Sequence, residues 1–305
     1  MRIDSFLGVC ADFTAYAVSD PDGVKLLDLE TGQQLPAPTW DPDWGRPRSA
    51  SCSHALIAIL TEGDISSRSV KLFSRKTGEL EQNVRGQIDG AAFTPDGRFL
   101  AITEFRPSDG YYLVLRDVQG KKAVAELCIG GNGYCSLAVA GRYVAAYESR
   151  DDQITLAETE TGRVVKTLTV SSLRRYFLTK RREFFGDRMP LALSPAGTLI
   201  ACGAEDLVIL SDRDDEKAVH KLEGHLDVVQ AIAFSPNGEM LATAAKDKTI
   251  RFWNVKERRE VYAVKNLPTT ASELIFSPDG KRIAVVYDSK SRGERSAEIH
   301  TVTLK

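Results

Sequence analysis

The sequence is short of the side chains that usually announce chemistry. Its 305 residues include only four histidines, five cysteines, three methionines and three tryptophans. The histidines, at 54, 220, 225 and 300, are scattered, and no HExxH, GxSxG, Walker A or GxGxxG arrangement occurs. The usual marks of a zinc hydrolase, a serine esterase or a nucleotide-binding loop are therefore missing, and an enzyme with a site at a channel mouth is the weakest of three functional readings. The cysteines are odd in number, form no CxxC pair and sit mostly in apolar runs, so buried free thiols in a reducing compartment are expected. No apolar run approaches the roughly 20 residues that cross a bilayer. The opening MRIDSFLGVCADF lacks the basic and apolar blocks of a signal peptide, so a cytoplasmic protein is expected. Nor does one sign of charge dominate: 40 Lys and Arg face 42 Asp and Glu, a net of −2. Any hold on nucleic acid must then come from a local patch. No cofactor and no metal site are expected; Asp151-Asp152 and Asp214-Asp215 read as solvated turn charge.

What is present is repetition. The phrase IAFSPNGEMLAT at 232–243 recurs as AAFTPDGRFLAI (91–102), LALSPAGTLIAC (191–202) and LIFSPDGKRIAV (274–285), with a weaker copy, SLAVAGRYVAAY, at 136–147. Pro195, Pro236 and Pro278 are 41 and 42 residues apart, which fits the period of about 40–45 residues of a four-stranded propeller blade. Each apolar run is too short for a helix and rich in β-branched and aromatic residues. Ser/Thr-Pro-Asx-Gly between two runs is turn chemistry: Pro presets φ, and Asx followed by Gly tolerates positive φ. Each phrase is predicted to be a β-hairpin.

Extending the pattern yields seven units, with strands a to d counted from the centre outward. They span Ser5–Leu35, Ala50–Val84, Ile88–Leu127, Cys135–Leu168, Met189–Leu222, Val228–Val264 and Glu273–Val302. The prediction is an all-β fold, a seven-bladed propeller of four-stranded antiparallel blades forming a single domain over 1–305. The seventh unit lacks a d strand, so the ring is expected to close by pairing of Met1–Ile3 beside Glu298–Val302.

The stretch Lys221–Val255, which contains the first three strands of the sixth unit, carries a family resemblance. Gly224-His225, Asp247 and Trp253-Asn254 make it similar to a WD40 repeat, with Asn254 where the family pattern has Asp. His225, Thr243, Asp247 and Trp253 match the four hydrogen-bonded positions of that pattern. The resemblance implies a structural network within the blade: an aspartate accepting from the histidine, continued by the threonine and the indole N–H. The position of Trp253 aligns with Leu27, Phe73, Arg116, Ala157 and Ser211 in units one to five, so the specific residues are confined to one unit. The family has no shared active site, and its members are mostly interaction platforms.

Loop lengths point the same way. Long b–c loops are expected in units two (Thr61–Ser69), three (Glu104–Tyr111) and seven (Asp288–Ala297), and long d–a connections at 36–49 and 169–188. In an up-and-down blade these loops share one face, which is read as the working face. The insertion at 169–188 places Leu173, Phe177 and Phe184 at helical spacing; residues 171–188 hold six basic and two acidic residues, a local net of +4. Its Arg174, Arg175, Phe177, Arg181 and Arg182 suit an acidic peptide or a phosphate; the alternative is a helix that packs its aromatics and solvates its charges. The connection at 36–49 brings Trp40 and Trp44 together with Arg46 and Arg48, either as a contact site or as a plug between blades. The favoured reading is a non-catalytic scaffold or adaptor. It would bind another protein or peptide, an acidic one by the charge of the insertion, through Trp40, Trp44, Arg174, Arg175, Phe177, Arg181 and Arg182. The second is nucleic-acid or phosphate binding through 169–188. No membrane contact is expected.

Overall fold

The structure, a computed structural model, describes residues 5–10, 12, 14–20, 23–62, 68–131, 133–170, 189–215 and 218–287. Within these, the chain forms seven consecutive antiparallel sheets. Sheet one is β1 (Ser5–Val9), β2 (Ala15–Asp20), β3 (Gly23–Asp28) and β4 (Gln34–Leu35). Sheet two is β5 (Arg46–Cys52), β6 (Leu56–Glu62), β7 (Ser69–Ser74) and β8 (Leu80–Arg85). Sheet three is β9 (Gln87–Phe93), β10 (Phe99–Arg106), β11 (Gly110–Asp117) and β12 (Lys122–Gly130). Sheet four is β13 (Cys135–Ala140), β14 (Tyr143–Glu148), β15 (Gln153–Glu158) and β16 (Val164–Thr169). Sheet five is β17 (Leu191–Leu193), β18 (Leu199–Ala204), β19 (Leu207–Asp212) and β20 (Val219–Glu223). Sheet six is β21 (Val229–Phe234), β22 (Met240–Ala245), β23 (Ile250–Asn254) and β24 (Arg259–Val264). Sheet seven shows β25 (Ala271–Phe276) and β26 (Ile283–Tyr287). The strand expected at Glu298–Val302 and its pairing with Met1–Ile3 lie outside the described residues.

The repeated turn works differently from the sequence expectation in one respect. In Thr94–Gly97, Ser194–Gly197, Ser235–Gly238 and Ser277–Gly280 the glycine N–H donates to the carbonyl of the first residue at 2.8 Å. Only the glycine takes positive φ, between 66° and 73° in these four turns. The Asx residue is not left-handed; it accepts through its side chain, as Asn237 Oδ1 does from Ser235 Oγ at 2.7 Å and from Glu239 N–H at 3.1 Å. The leading hydroxyl is buried and accepts from the N–H that opens the next strand: Phe99 at 3.0 Å, Leu199 and Met240 at 2.9 Å, and Arg282 at 2.9 Å. A Ser or Thr at this position therefore replaces a missing backbone partner.

The sheets stack through their faces. The first strands lie next to each other in chain order, β1 by β5, β5 by β9, and so on to β21 by β25. Strands two and three of each sheet are buried on both faces, which is why they read as continuous apolar runs; outer strands such as β8 alternate toward solvent. Each apolar cluster straddles two neighbouring sheets. Sheets one and two share Leu26, Ile57 and Phe73; sheets four and five share Leu156, Met189 and Ile209; sheets five and six share Leu210, Leu241 and Trp253. One cluster joins the last sheet to the first, placing Ala284 and Val286 against Phe6, Val18 and Leu27. Arg282 reinforces it from the rim, 3.3 Å from Glu30.

Two boundaries differ from the sequence reading. β10 and β11 run on to Arg106 and from Gly110, so the expected long loop Glu104–Tyr111 is mostly an extended strand pair. β5 begins at Arg46, not at Ala50, and Pro42–Trp44 form a 3-10 turn capped by Asp41. Tyr111 is buried in the core shared by sheets three and four and Phe105 packs against it, but Arg106, Pro107, Ser108 and Asp109 between them break the apolar pattern. All five cysteines are free, but Cys128, on an outer strand, is exposed where a buried thiol was expected.

Phe6 is fully buried in the cluster that joins sheets seven and one. Phe6→Ala is expected to cost about 3–5 kcal/mol of unfolding free energy, measured by urea denaturation. An unchanged midpoint would mean that the two sheets do not pack there.

Candidate functional site

The loop face is built where first strands begin and second strands end. Sheet six shows how its loops are held. Trp253 Nε1 donates to Thr243 Oγ1 at 2.9 Å, and Thr243 Oγ1 lies 2.7 Å from His225 Nε2. His225 Nδ1 lies 3.0 Å from Asp247 Oδ2, which also accepts Leu226 N–H at 2.9 Å. Asp247 Oδ1 takes the N–H and hydroxyl of Thr249 at 2.9 and 2.8 Å. The run is consistent with a neutral imidazole protonated at Nδ1, with the threonine hydroxyl donating to Nε2. Burial drives the pKa of His225 below the ordinary imidazole value against the pull of Asp247. For Asp247 burial acts upward, but the bonds from Leu226, Thr249 and His225 outweigh it and leave the carboxyl below its ordinary value.

Strand register identifies the same stations elsewhere. Trp253 pairs with Leu241, as Leu27 pairs with Tyr16, Phe73 with Ile57, Arg116 with Leu100, Ala157 with Val144 and Ser211 with Ile200. Two residues beyond those partners, where sheet six has Thr243, stand Val18, Ile59, Ile102, Ala146 and Cys202. Those sheets fill with apolar groups the space that sheet six fills with a polar chain. Cys202 is itself fully buried, and burial pushes its thiol up to about 12.

Trp40 and Trp44 come together, with ring centroids 5.5 Å apart and nearly perpendicular. Both lean on the buried Phe73, at 6.2 and 5.8 Å. The connection carrying them climbs the groove between sheets one and two. Ala37 sits against Gly78 in the far turn of sheet two, and a Cβ on Gly23 would lie 2.4 Å from Trp40 Cβ. The two indoles are half-buried, and Lys71 Nζ stands 5.0 Å over the ring of Trp44. Arg48 extends from β5 toward Glu62 at 3.8 Å.

Other charges on this face are spent internally. Asp89 is bonded by both Arg68 and the hydroxyl of Tyr111, and burial, then Asp89, raise the tyrosine well above its usual range. Arg106 bridges Glu104 and Glu126 at 3.1 and 2.8 Å and lies 4.1 Å over the ring of Tyr112. The glycine-rich loop at 130–133 turns its N–H groups onto carboxylates: Gly133 donates to Glu148 at 2.7 Å and Gly131 to Asp151 at 3.0 Å. A phosphate has no place there, because two anions already hold the donors.

The sequence reading missed the exposed apolar residues of the face. Leu226 is 85% exposed, Tyr134 is 60% exposed, and Val228 stands beside Leu226. Leu226 directly follows the buried His225, and that adjacency, an apolar residue after an anchored one, is the signal that was available. Arg174, Arg175, Phe177, Arg181 and Arg182 lie outside the described residues. The insertion leaves sheet four at Val170 and rejoins at Met189, both buried in the cluster shared by sheets four and five. Tyr134 and Leu226 belong to the connections immediately before and after it in the ring.

Comparison with known proteins identifies the repeat. The family described as "WD domain, G-beta repeat" matches residues 216–254. Periodic tryptophan protein 2 homolog of Schizosaccharomyces pombe is 28% identical over 31% of this chain and 11% of its own length. An uncharacterized WD repeat-containing protein of Synechocystis sp. is 31% identical over 47% of this chain and 37% of its own. Eukaryotic translation initiation factor 3 subunit I of Emericella nidulans is 37% identical over 22% of this chain and 20% of its own. The chain thus aligns with well under half the length of each of these relatives. Among solved structures, a chain of the mitotic checkpoint complex superposes with a TM-score of 0.60 at 19% identity, covering 77% of this chain and 70% of that one, which shows the fold. Among the described residues, no helix is long and apolar enough to cross a membrane.

His225→Ala leaves Asp247 and Thr243 without their buried partner and is expected to cost about 1–3 kcal/mol, read from thermal or urea unfolding. The pH dependence has a definite sign. The folded imidazole pKa is depressed from 6.5, so its stabilisation is complete above 6.5 and is lost as pH falls through the folded value. Between pH 7.5 and 5.5 the parent protein is expected to lose more melting temperature than His225→Gln; parallel curves would contradict a neutral buried His225.

Proposed function

We propose that this chain, a WD40-repeat protein, is a non-catalytic, cytoplasmic interaction platform, folded as one domain over 1–305, that takes a partner protein or peptide on its d–a/b–c loop face. The observation that carries this reading is Leu226. An almost fully exposed leucine is held rigidly, its N–H fixed on Asp247 and its neighbour His225 buried, so little side-chain or loop ordering opposes docking there. Val228 and, two connections away, Tyr134 are further exposed apolar residues of this face. The basic insertion enters the ring between them and adds Arg174, Arg175, Phe177, Arg181 and Arg182, which favours an acidic partner surface. Trp40 and Trp44 contribute their open edges at the side of sheets one and two. One relative bears the name of an assembly component, an initiation-factor subunit, and an assembly role suits this chain as well. Three carboxylates of the face serve its loops: Glu148, Asp151 and Asp247 are engaged in holding backbone, which supports binding over catalysis.

Affinity capture with the intact chain is expected to recover a partner that is lost with Leu226→Asp and with Arg174, Arg175, Arg181 and Arg182 changed together to Ala. Both variants are expected to keep the parent melting temperature. Identical capture by all three proteins would remove the loop face from the argument. The insertion's charge also supports a second reading, a polyanion ligand. That reading requires binding to a generic DNA or RNA oligomer whose log affinity falls with log salt by close to one per phosphate neutralised; no binding at low salt would eliminate it.

A further inference from the structure

Two cysteines face each other across a sheet boundary. β1 and β5, the first strands of sheets one and two, lie side by side, and they approach so closely that a Cβ on Gly8 would stand 2.2 Å from the carbonyl oxygen of Ala50. Two residues further along each chain come Cys10 and Cys52, both buried in the apolar cluster that the two sheets share. Their thiols share a hydrogen bond.

Cys10 holds a distinct place in its turn. Its N–H donates to the carbonyl five residues on, that of Ala15, at 2.8 Å, as Thr94 does to Phe99, Ser194 to Leu199, Ser235 to Met240 and Ser277 to Arg282. At that station the other four turns carry a hydroxyl that accepts the N–H opening the next strand. Sheet one carries a thiol there, and the thiol is turned to the neighbouring sheet. The backbone around both sulfurs is tied down. Cys52 is paired with Ile57 within sheet two. Arg75, on the turn after β7, donates to Ser53 O at 2.9 Å, to Asp12 Oδ2 at 2.6 Å and to Thr14 Oγ1 at 2.9 Å. One guanidinium thus joins the residue after Cys52 to the turn after Cys10, and its charge reaches both sulfurs. The hydrogen bond to Cys10, then burial, hold the Cys52 thiol well above its ordinary range against the pull of Arg75, so the pair rests as two thiols at neutral pH. Once a thiolate forms, the guanidinium stabilises it.

We propose that Cys10 and Cys52 are an oxidative modification site, forming under peroxide an intramolecular disulfide that fastens sheet one to sheet two where their first strands end. One thiolate attacks hydrogen peroxide and the O–O bond breaks. The sulfur keeps one oxygen as a sulfenic acid, and the other oxygen leaves as hydroxide, which takes up the proton of that thiol to become water. The second sulfur then attacks the first, the S–O bond breaks, and a second water departs with the remaining thiol proton. Two thiols lose two electrons, and one peroxide is reduced to two waters. A dithiol reductant reverses the bond. The closed ring spans residues 10–52, which include β2 to β4 and the connection bearing Trp40 and Trp44, and the bond removes the freedom of that stretch in the unfolded chain. The site stands apart from the loop face and does not depend on what binds there.

The test treats the intact, reduced chain with hydrogen peroxide, then denatures it and alkylates it with N-ethylmaleimide. Of the five thiols, all but Cys10 and Cys52 are expected to be alkylated, and trypsin is expected to release peptide 3–25 joined to peptide 49–68. The melting temperature of the oxidised chain is expected to rise by about 5 °C and to return with dithiothreitol. Cys128→Ser, which lacks the exposed thiol, is expected to form the same bond. Cys10→Ala and Cys52→Ala are each expected to keep every remaining thiol open to alkylation and to show no rise. Five alkylated thiols after peroxide, a bond to another cysteine, or a joined chain that melts no higher would overturn the proposal. Should the alanine variants fail to fold, the joined peptide from the parent chain decides: its absence sinks the site.

Discussion

Each sheet of this protein is apolar on both faces of its inner strands and has no core of its own. Leu26, Leu72, Leu113, Leu156 and Phe252 are buried only because a neighbouring sheet lies against them. The hydrophobic gain therefore belongs to pairs of sheets, and the packing of sheet seven on sheet one through Phe6, Ala284 and Val286 matters as much as any other pair. From this constraint follow the continuous apolar runs of second and third strands, the polar outer strands and the placement of the 36–45 connection in a groove. In two of the grooves side chains from outside the facing strands or from their ends fill the space: Trp40 and Trp44 between sheets one and two, and Tyr143 between sheets four and five.

The polar network of sheet six is the exception within that scheme. Its stations in other sheets are occupied by Val18, Ile59, Ile102, Ala146 and Cys202, which need no partner. A hydroxyl, an imidazole and an indole in the same space must satisfy one another completely, since each unmet buried donor would cost more than an apolar replacement. What the network adds is a fixed loop: Asp247 holds Leu226 N–H, and so an exposed leucine stands on a rigid base. The most family-like stretch of the chain thus fixes the position of the exposed residue next to it.

The two ends of the molecule present different chemistry. The loop face combines rigid apolar residues with carboxylates already committed to backbone, and the basic insertion enters there. The turn face has tight Ser/Thr-Pro-Asx-Gly hairpins, and a groove opens there between sheets five and six. Rigid loops around an exposed leucine are an arrangement that lowers the ordering cost of binding.

Six four-stranded units, the first hairpin of the seventh, their strand order and the hairpin turns were legible in the sequence because two physical signals repeat with the fold: apolar runs of strand length, and a hydroxyl-Pro-Asx-Gly turn that replaces a backbone partner. Even the stations equivalent to Trp253 could be aligned, since strand register follows from turn geometry. Three things were not legible. The first is that 36–45 climbs a groove, because Trp40 and Trp44 find Phe73 across a sheet boundary that no local pattern records. The second is that 104–106 and 110–111 are strand, because their pairing partners supply the regularity that their own residues do not signal. The third is the difference between Tyr143 and Leu199. In the sequence each is an apolar residue opening a strand, and only the neighbouring sheet turns one into a filled groove and the other into an open one. Local bonding made the units readable; side-chain volume shared between units, which is a property of pairs distant in the chain, was settled only by the tertiary structure.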